Sequence, residues 1–196
     1  AARDGMIWVG TYGQGLYKFD PAKDKFIKYE NKAHDLGNIG NEIIWPIVED
    51  KQGHLWVGTN NDGLYCIDPK SDNLVVYENN PLNNNSLSNN YVISLYIDHA
   101  DNLWVGSSLG LNKLTFDASG KPVFTSYFEK DGLIVSTIYG IVEDEFGHIW
   151  LLTYKGLSML DPATGVFTNY FPFQKLCVLK SEQHPQGNKK FPLFLL

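Results

Sequence analysis

Apolar residues along the chain fall into short runs that are separated by polar, glycine-containing turns. Nearly continuous apolar runs lie at residues 43–49, 92–97 and 138–143. Each is followed by a turn that begins with aspartate and then by a shorter run that carries a tryptophan. Continuous apolar character is typical of a strand covered on both faces, and Asp with Gly is typical of tight turns. The pattern therefore predicts short antiparallel strands joined by hairpins.

The tryptophans set the period of a repeat. Four of them are spaced by 48, 48 and 46 residues: Trp8, Trp56, Trp104 and Trp150. A Gly–Leu pair, an aspartate and a closing tyrosine follow each one in register, and Trp45 lies outside the series. Each unit divides into four strands, and four short strands per 46 to 48 residues is the period of a propeller blade. The prediction is an all-β partial β-propeller of about four blades.

The repeat also indicates where the propeller begins and ends. Blades are predicted over residues 1–171, starting at the second strand of a blade, and residues 172–196 form a divergent tail without the pattern. The apolar run 175–179 could supply the missing first strand and close a four-bladed ring, or it could pair with a second copy of the chain. An open solenoid and a β-sandwich are the alternatives, although a sandwich does not predict a 48-residue self-similarity.

Composition and net charge limit the classes of molecule that the chain is expected to bind. The chain has 196 residues, a formal charge of −6 and 14% aromatic residues. An acidic surface argues against binding to nucleic acid or to an anionic membrane. Cys66 and Cys177 are interpreted as small buried side chains, and a disulfide between them stays open.

The sequence indicates neither a catalytic residue nor a metal or cofactor site. It has no Cys-x-x-Cys pair, no Gly-x-Ser-x-Gly motif and no phosphate loop. Acidic residues recur once per repeat where a hairpin needs an aspartate, so we interpret them as turn residues rather than calcium ligands: Asp50, Asp98, Asp101, Asp144 and Glu145. His54 and His148 occupy equivalent turns, which predicts that they lie far apart.

A ligand site is predicted at one end of the propeller axis, where loops feed the innermost strands. Amides and hydroxyls there can hydrogen-bond sugar hydroxyls, and aromatic rings can stack on the apolar face of a sugar. The alternative is that Trp45 and Tyr139 only pack between blades. The candidate ligand-binding residues are Asn41, Glu42, Trp45, Asn89, Asn90, Tyr91, Ser136, Thr137 and Tyr139.

One phrase resembles a known family. Gly-His-Leu-Trp-Val-Gly-Thr at residues 53–59, followed by Asp-Gly-Leu at 62–64, resembles the two-component regulator propeller repeat. Val-Glu-Asp at 48–50 and at 142–144, and the linker 83–90, fit the same family. The resemblance covers about residues 4–171. It implies a seven-bladed propeller, the periplasmic sensor region of hybrid two-component histidine kinases.

The resemblance also implies a function. The chain would be a non-catalytic, periplasmic, ligand-binding fragment that senses an oligosaccharide and signals through a phosphorelay to polysaccharide-utilisation genes. Self-association as a homodimer is expected of the family, and this segment itself would contact neither nucleic acid nor membrane. The alternatives are a propeller enzyme, such as a polysaccharide lyase or a quinone-dependent dehydrogenase, and a protein-interaction scaffold.

Overall fold

The computed structural model describes residues 5–30, 39 and 42–171. These residues form fifteen strands and one short 3-10 helix, Glu129–Asp131. The strands are β1 (Ile7–Gly10), β2 (Leu16–Asp20), β3 (Lys25–Lys28), β4 (Ile44–Glu49), β5 (Leu55–Thr59), β6 (Leu64–Asp68), β7 (Asn73–Tyr77), β8 (Val92–Ile97), β9 (Leu103–Ser107), β10 (Gly110–Phe116), β11 (Pro122–Tyr127), β12 (Gly140–Glu143), β13 (Ile149–Thr153), β14 (Gly156–Asp161) and β15 (Val166–Tyr170).

The strands form four antiparallel sheets in which every strand pairs with its neighbour in sequence. We name them blade 1 (β1–β3), blade 2 (β4–β7), blade 3 (β8–β11) and blade 4 (β12–β15). Blade 1 has three strands among the described residues, and Trp8 lies on β1, which pairs with β2 as a second strand pairs with a third. The predicted partial propeller is therefore confirmed. Cys177 and the run 175–179 lie outside the described residues, and so does the tail as a whole.

One predicted strand is shorter than expected. The apolar run 138–143 was expected to be strand throughout, but β12 begins at Gly140. The backbone N–H of Ile138 donates to Ser107 of blade 3 at 3.2 Å, and Tyr139 N–H donates to Leu152 at 2.9 Å. The first two residues of the run therefore hold blade 4 in position, and the strand starts after them.

The apolar core lies between the blades. Each blade tryptophan contacts the tyrosine that closes its own blade, as in Trp56–Tyr77 and Trp104–Tyr127, with ring centroids 5.8 and 6.3 Å apart. The tryptophans of blades 1, 2 and 3 also pack against the following blade. Trp56 is 5% exposed and Trp104 is fully buried, so their apolar area is removed from water only because the blades stack. Three clusters result, one at each junction between consecutive blades.

Glycines near the axis let consecutive blades approach closely. A Cβ on Gly58 would lie 2.5 Å from Val92 of blade 3, and a Cβ on Gly106 would lie 2.8 Å from Ile138, which leads into blade 4. A Cβ on Gly106 would also overlap Ser94 of its own blade. A side chain at either position would therefore force the neighbouring side chains to move.

In blade 4 the glycine lies on the other strand of the corresponding pair. Leu152 stands where Gly58 and Gly106 stand, and it pairs with Gly140 of β12. In blade 3 the order is reversed, because Gly106 pairs with Ser94. The glycine has thus moved from the second strand to the first, which leaves room for the leucine.

The blades share two ends. At the turn end lie the Asp-containing turns between first and second strands. At the linker end lie the turns between second and third strands and the linkers that lead into β4, β8 and β12, which are neighbours around the axis. Of the helices in the part of the chain that is described, none is long and apolar enough to cross a membrane.

Candidate functional site

The loops predicted to bind ligand connect consecutive blades through their backbones. The carbonyls of Glu42, Asn90 and Ser136 accept hydrogen bonds from Gly15, Gly63 and Gly110 of the preceding blades, at 3.1, 3.0 and 2.7 Å respectively. The predicted residues therefore lie at the linker end, spread over three successive junctions. Asn41 lies outside the described residues.

At the junction of blades 2 and 3 the linker end forms a cleft of about 400 Å³. Three of the predicted residues line it, and four others join them that the sequence did not single out. The lining residues are Asn60, Asn61, Asn79, Asn89, Asn90, Tyr91 and Ser108. Asn60 and Asn61 belong to the turn between the second and third strands, and their only sequence signal is their place after Thr59 in the repeat.

Hydrogen bonds fix the walls of this asparagine cleft. Asn79 donates from its amide to Leu87 O at 2.7 Å, and its backbone N–H donates to Asn90 Oδ1 at 2.6 Å. Asn89 Oδ1 accepts from Tyr91 N–H at 2.8 Å and from the Ser108 hydroxyl at 2.9 Å. The oxygens of Asn89 and Asn90 are thus used by the protein.

Other amide groups of the asparagine cleft are available. Within the described chain, the side-chain amides of Asn60 and Asn61 have no hydrogen-bond partner, and neither have the amide nitrogens of Asn89 and Asn90. The cleft therefore offers neutral donors and acceptors in fixed positions, which suits a ligand rich in hydroxyl groups.

The junction of blades 1 and 2 carries exposed aromatic rings. Tyr12 is 80% exposed and Trp45 is 50% exposed, and their centroids lie 6.4 Å apart in an edge-to-face arrangement. Backbone pairing between Tyr12 and Ile43 brings the two rings together. Trp45 thus contacts the neighbouring blade and also presents half of its surface to solvent.

Two carboxyl groups lie in the same junction. Burial raises the pKa of Glu42, and the charge of Asp62 and a hydrogen bond between the two side chains raise it further. The Tyr65 hydroxyl lies 3.4 Å from Asp62 Oδ2, and burial followed by the charge of Asp62 raises the pKa of Tyr65. The Glu42–Asp62 pair therefore resists carrying two negative charges.

The remaining predicted residues form a separate group at the junction of blades 3 and 4. Ser136 donates to Glu129 Oε1 from its backbone and from its hydroxyl, at 3.1 and 3.0 Å. The Thr137 hydroxyl donates to Ser108 O at 3.3 Å, and Tyr139 is 52% exposed. These three residues do not line the asparagine cleft.

At the turn end the repeated aspartates hold the turns. Each accepts a hydrogen bond from the backbone N–H four residues later and another from the indole N–H of the tryptophan six residues later. For Asp50, Asp98 and Asp144 the indole distances are 3.0, 2.9 and 2.8 Å. The carboxylates serve their own hairpins, as the turn interpretation predicted. The bond to the indole was not predicted, although the fixed spacing of six residues is visible in the sequence.

The histidines of the turn end are engaged locally. His54 Nδ1 lies 3.0 Å from Asp50 Oδ2, and His148 Nδ1 lies 3.0 Å from Asp144 Oδ2. The two histidines belong to the first turns of blades 2 and 4, so a whole blade separates them.

Comparison with known families identifies the repeat. Residues 38–61 and 86–108 match the family described as "Two component regulator propeller". These two segments are similar to two-component regulator propeller repeats. The matched segments include the first and second strands of blade 2 and of blade 3. They also include the residues that directly precede the first strand and follow the second strand in each of these blades.

Solved structures of extracellular domains are similar to the chain. One is the extracellular domain of a hybrid two-component system from B. thetaiotaomicron, with 25% identity and a TM-score of 0.73. A second extracellular domain from a hybrid system of the same organism has 25% identity and a TM-score of 0.68. Each comparison covers 87% of this chain and 24% of the other, so the chain spans about a quarter of these relatives.

Some solved structures with lower sequence identity to this chain are enzymes. Virginiamycin B lyase from Staphylococcus aureus has 17% identity and a TM-score of 0.62, over 87% of this chain and 53% of the lyase. At this identity the comparison concerns the fold alone. No curated protein is similar in sequence to the chain.

Proposed function

We propose that these blades are the ligand-binding, non-catalytic part of the periplasmic sensor region of a hybrid two-component system, and that their ligand is an oligosaccharide. The likeness to extracellular domains of hybrid two-component systems supports the sensor role. The asparagine cleft carries the ligand assignment, because Asn60 and Asn61 offer amides that the fold does not use.

The chemistry of the linker end supports a neutral polar ligand. Amides can donate to and accept from the same hydroxyl group, so a row of asparagines matches the alternating hydroxyls of a sugar. The exposed rings of Tyr12 and Trp45, one junction away, offer an apolar face to a further sugar unit. A ligand that extends along the linker end from blade 3 to blade 1 would therefore meet amides first and aromatic rings second.

The rest of the proposed pathway follows from the family. Ligand binding would be read by a histidine kinase outside these blades and passed by a phosphorelay to polysaccharide-utilisation genes. A homodimer would carry the signal, and this segment would contact neither the membrane nor nucleic acid. The propeller-enzyme alternative has weaker support, because the likeness to virginiamycin B lyase is one of fold.

Thermal unfolding in the presence of plant, host and microbial oligosaccharides tests the proposal. A ligand that binds the native state raises the melting temperature, so one glycan class should stabilise the chain. The same glycan should leave the Asn60→Ala/Asn61→Ala variant unshifted, because that variant loses the available amides and keeps every described hydrogen bond of the asparagine cleft.

Asn84→Ala is the matched control. Asn84 is an exposed asparagine of the same linker that does not line the asparagine cleft, so this variant should respond to the glycan as the unmodified chain does. Glycan stabilisation that survives in the double variant would place the ligand elsewhere. A cooperative transition that no glycan shifts would reject the oligosaccharide assignment for these blades.

A further inference from the structure

A second and larger cleft lies at the turn end. It opens between blades 2 and 3, has a volume of about 680 Å³ and is far from the linkers that form the asparagine cleft. Its apolar walls include Trp56, Cys66, Val75 and Phe116. Val75 and Phe116 are 39% and 54% exposed, so apolar surface extends from the interior of the cleft to its mouth. We call it the interblade cleft.

The origin of the interblade cleft is a change at one repeat position. On the third strand, the residue that pairs with the blade tryptophan is Lys18 in blade 1 and Lys113 in blade 3. Their ammonium groups lie 5.2 and 5.3 Å from the tryptophan ring centroids. In blade 2 the residue paired with Trp56 is Cys66, whose side chain is three non-hydrogen atoms shorter than that of lysine and carries no charge. Blade 2 therefore lacks the alkylammonium group that covers the tryptophan in its neighbours.

Carboxylates remain around the space that the lysine would occupy. Asp50, Asp68 and Asp101 all line the interblade cleft, and His54 and Gln52 lie at the same wall. A hydrogen bond from Ser71 at 2.6 Å lowers the pKa of Asp68, so this group is ionised at neutral pH. Burial, together with the charges of Asp50 and Asp68, raises the pKa of the Cys66 thiol to about 12. The thiol thus stays neutral, and the charged groups that line the interblade cleft are carboxylates. The Lys51 ammonium group lies 3.7 Å from Asp101 Oδ1.

We propose that the interblade cleft binds an organic cation of the primary alkylammonium class, whose ammonium group takes the place that lysine occupies in blades 1 and 3. The alkyl part lies along Cys66, Val75 and Phe116, and the ammonium group lies between the Trp56 indole and the carboxylates of Asp68 and Asp101. Cation–π attraction and the two carboxylates select a cation over a neutral molecule of the same shape. Free amines and the lysine side chain of a peptide share this chemistry.

Titration of the whole chain with n-butylammonium chloride, followed by NMR of the tryptophan indole N–H groups, tests the proposal. The Trp56 signal should shift in a saturable manner, because its indole donates to Asp50 at the wall of the cleft. n-Butanol is the neutral counterpart, and we expect it to bind about tenfold more weakly. Equal shifts with n-butanol would overturn the selection of a cation.

Three substitutions locate the site. Cys66→Lys places a lysine where blades 1 and 3 have one, and Cys66→Met places the residue that blade 4 has as Met159, so both should abolish the response of Trp56. Cys66→Ser keeps the side chain short and should bind within about twofold of the unmodified chain. Because lysine and methionine already occupy this position in other blades, retained folding is expected and is checked by the indole spectrum itself. Undiminished binding in Cys66→Lys or Cys66→Met would overturn the proposal.

A gain of binding completes the test and distinguishes free amines from peptides. Lys113→Cys should open an equivalent cleft beside Trp104 and make the Trp104 indole signal respond to n-butylammonium. An unchanged Trp104 signal in a folded variant would contradict the role given to the lysine. An Nα-acetyl-lysine amide that binds more tightly than n-butylammonium would indicate a peptide ligand, and one that binds more weakly would indicate a free amine.

Discussion

The two ends of the blade stack differ in what they repeat. At the turn end, blades 2, 3 and 4 use the same side chains, an aspartate that accepts from its own turn and from a tryptophan. At the linker end only the backbone repeats. The fourth residue after the blade tryptophan is Tyr12, Asn60, Ser108 or Tyr154 in successive blades. Repetition of side chains therefore marks positions that the fold needs, and their divergence marks positions that are available for a ligand.

The pKa values of carboxyl groups also differ between the two ends. Burial would raise the pKa of Asp98, but hydrogen bonds from Trp104 and Asn102 offset this effect and hold the pKa below its usual value. At the linker end, burial and the proximity of Asp62 raise the pKa of Glu42. The hydrogen bonds of Asp98 favour its ionised form, whereas burial and the proximity of Asp62 disfavour the ionised form of Glu42.

The largest loss of stability is expected at Gly106, a linker-end position near the axis. This position is an exception to the contrast between the two ends, because neighbouring side chains leave it little space. Gly106→Leu introduces a side chain where a Cβ alone would overlap Ser94 and lie 2.8 Å from Ile138. We expect a loss of about 3 kcal/mol or more in the free energy of unfolding, measured by urea denaturation.

A second substitution should reverse part of that loss. Blade 4 pairs Leu152 with Gly140, so adding Ser94→Gly to Gly106→Leu reproduces the blade 4 arrangement in blade 3. The double variant should recover the part of the loss that is due to Ser94, while the contact with Ile138 remains, and Ser94→Gly alone serves as the control. Equal loss in the single and double variants would show that the exchange between the strands is not compensatory.

A smaller loss is expected at the turn end. Asp98→Ala leaves the indole N–H of Trp104 without an acceptor in a buried position, and it also releases Asn102. The expected cost is about 2 kcal/mol in the free energy of unfolding. Because the folded-state pKa is lowered, the contribution of Asp98 is present above the unfolded pKa near 3.8 and is lost as the pH falls through the folded value.

The pH dependence supplies the control for Asp98. The difference in stability between the unmodified chain and Asp98→Ala should narrow as the pH falls below 3.8, and urea denaturation at several pH values measures it. A difference that stays constant with pH would mean that the ionised carboxylate is not the stabilising group.

The smallest expected change in stability is a gain, at the Glu42–Asp62 pair of the linker end. Glu42→Gln removes a carboxyl group whose folded-state pKa is raised, so its favourable contribution is present below the unfolded pKa and is lost as the pH rises through the folded value. At pH 7 the variant should melt about 1 °C higher than the unmodified chain, and at pH 4 the gain should disappear. A lower melting temperature at pH 7 would contradict an unfavourable interaction between the two carboxyl groups.

The sequence was sufficient to predict the blades because the residues that repeat form turns and strand pairs with neighbours close to them in sequence. Tryptophan spacing, Gly–Leu pairs and Asp-containing turns predicted the strands and the blades. Asn89 and Asn90, whose role in ligand binding stays a prediction, line the asparagine cleft. Asn60 and Asn61 were missed because a turn residue reaches the cleft only through packing between blades. The same packing separates Ser136, Thr137 and Tyr139 from the asparagine cleft, although all occupy equivalent repeat positions.

The backbone hydrogen bonds between blades give each junction its own reporter in hydrogen exchange. The amide of Gly15 is protected only while blades 1 and 2 stay together, and the amides of Gly63 and Gly110 report in the same way on the next two junctions. Equal protection at the three glycines would mean that the stack opens as one cooperative unit. Graded protection would mean that the blades separate one after another, and ligand binding at the junction of blades 2 and 3 would then slow the exchange of Gly63 first.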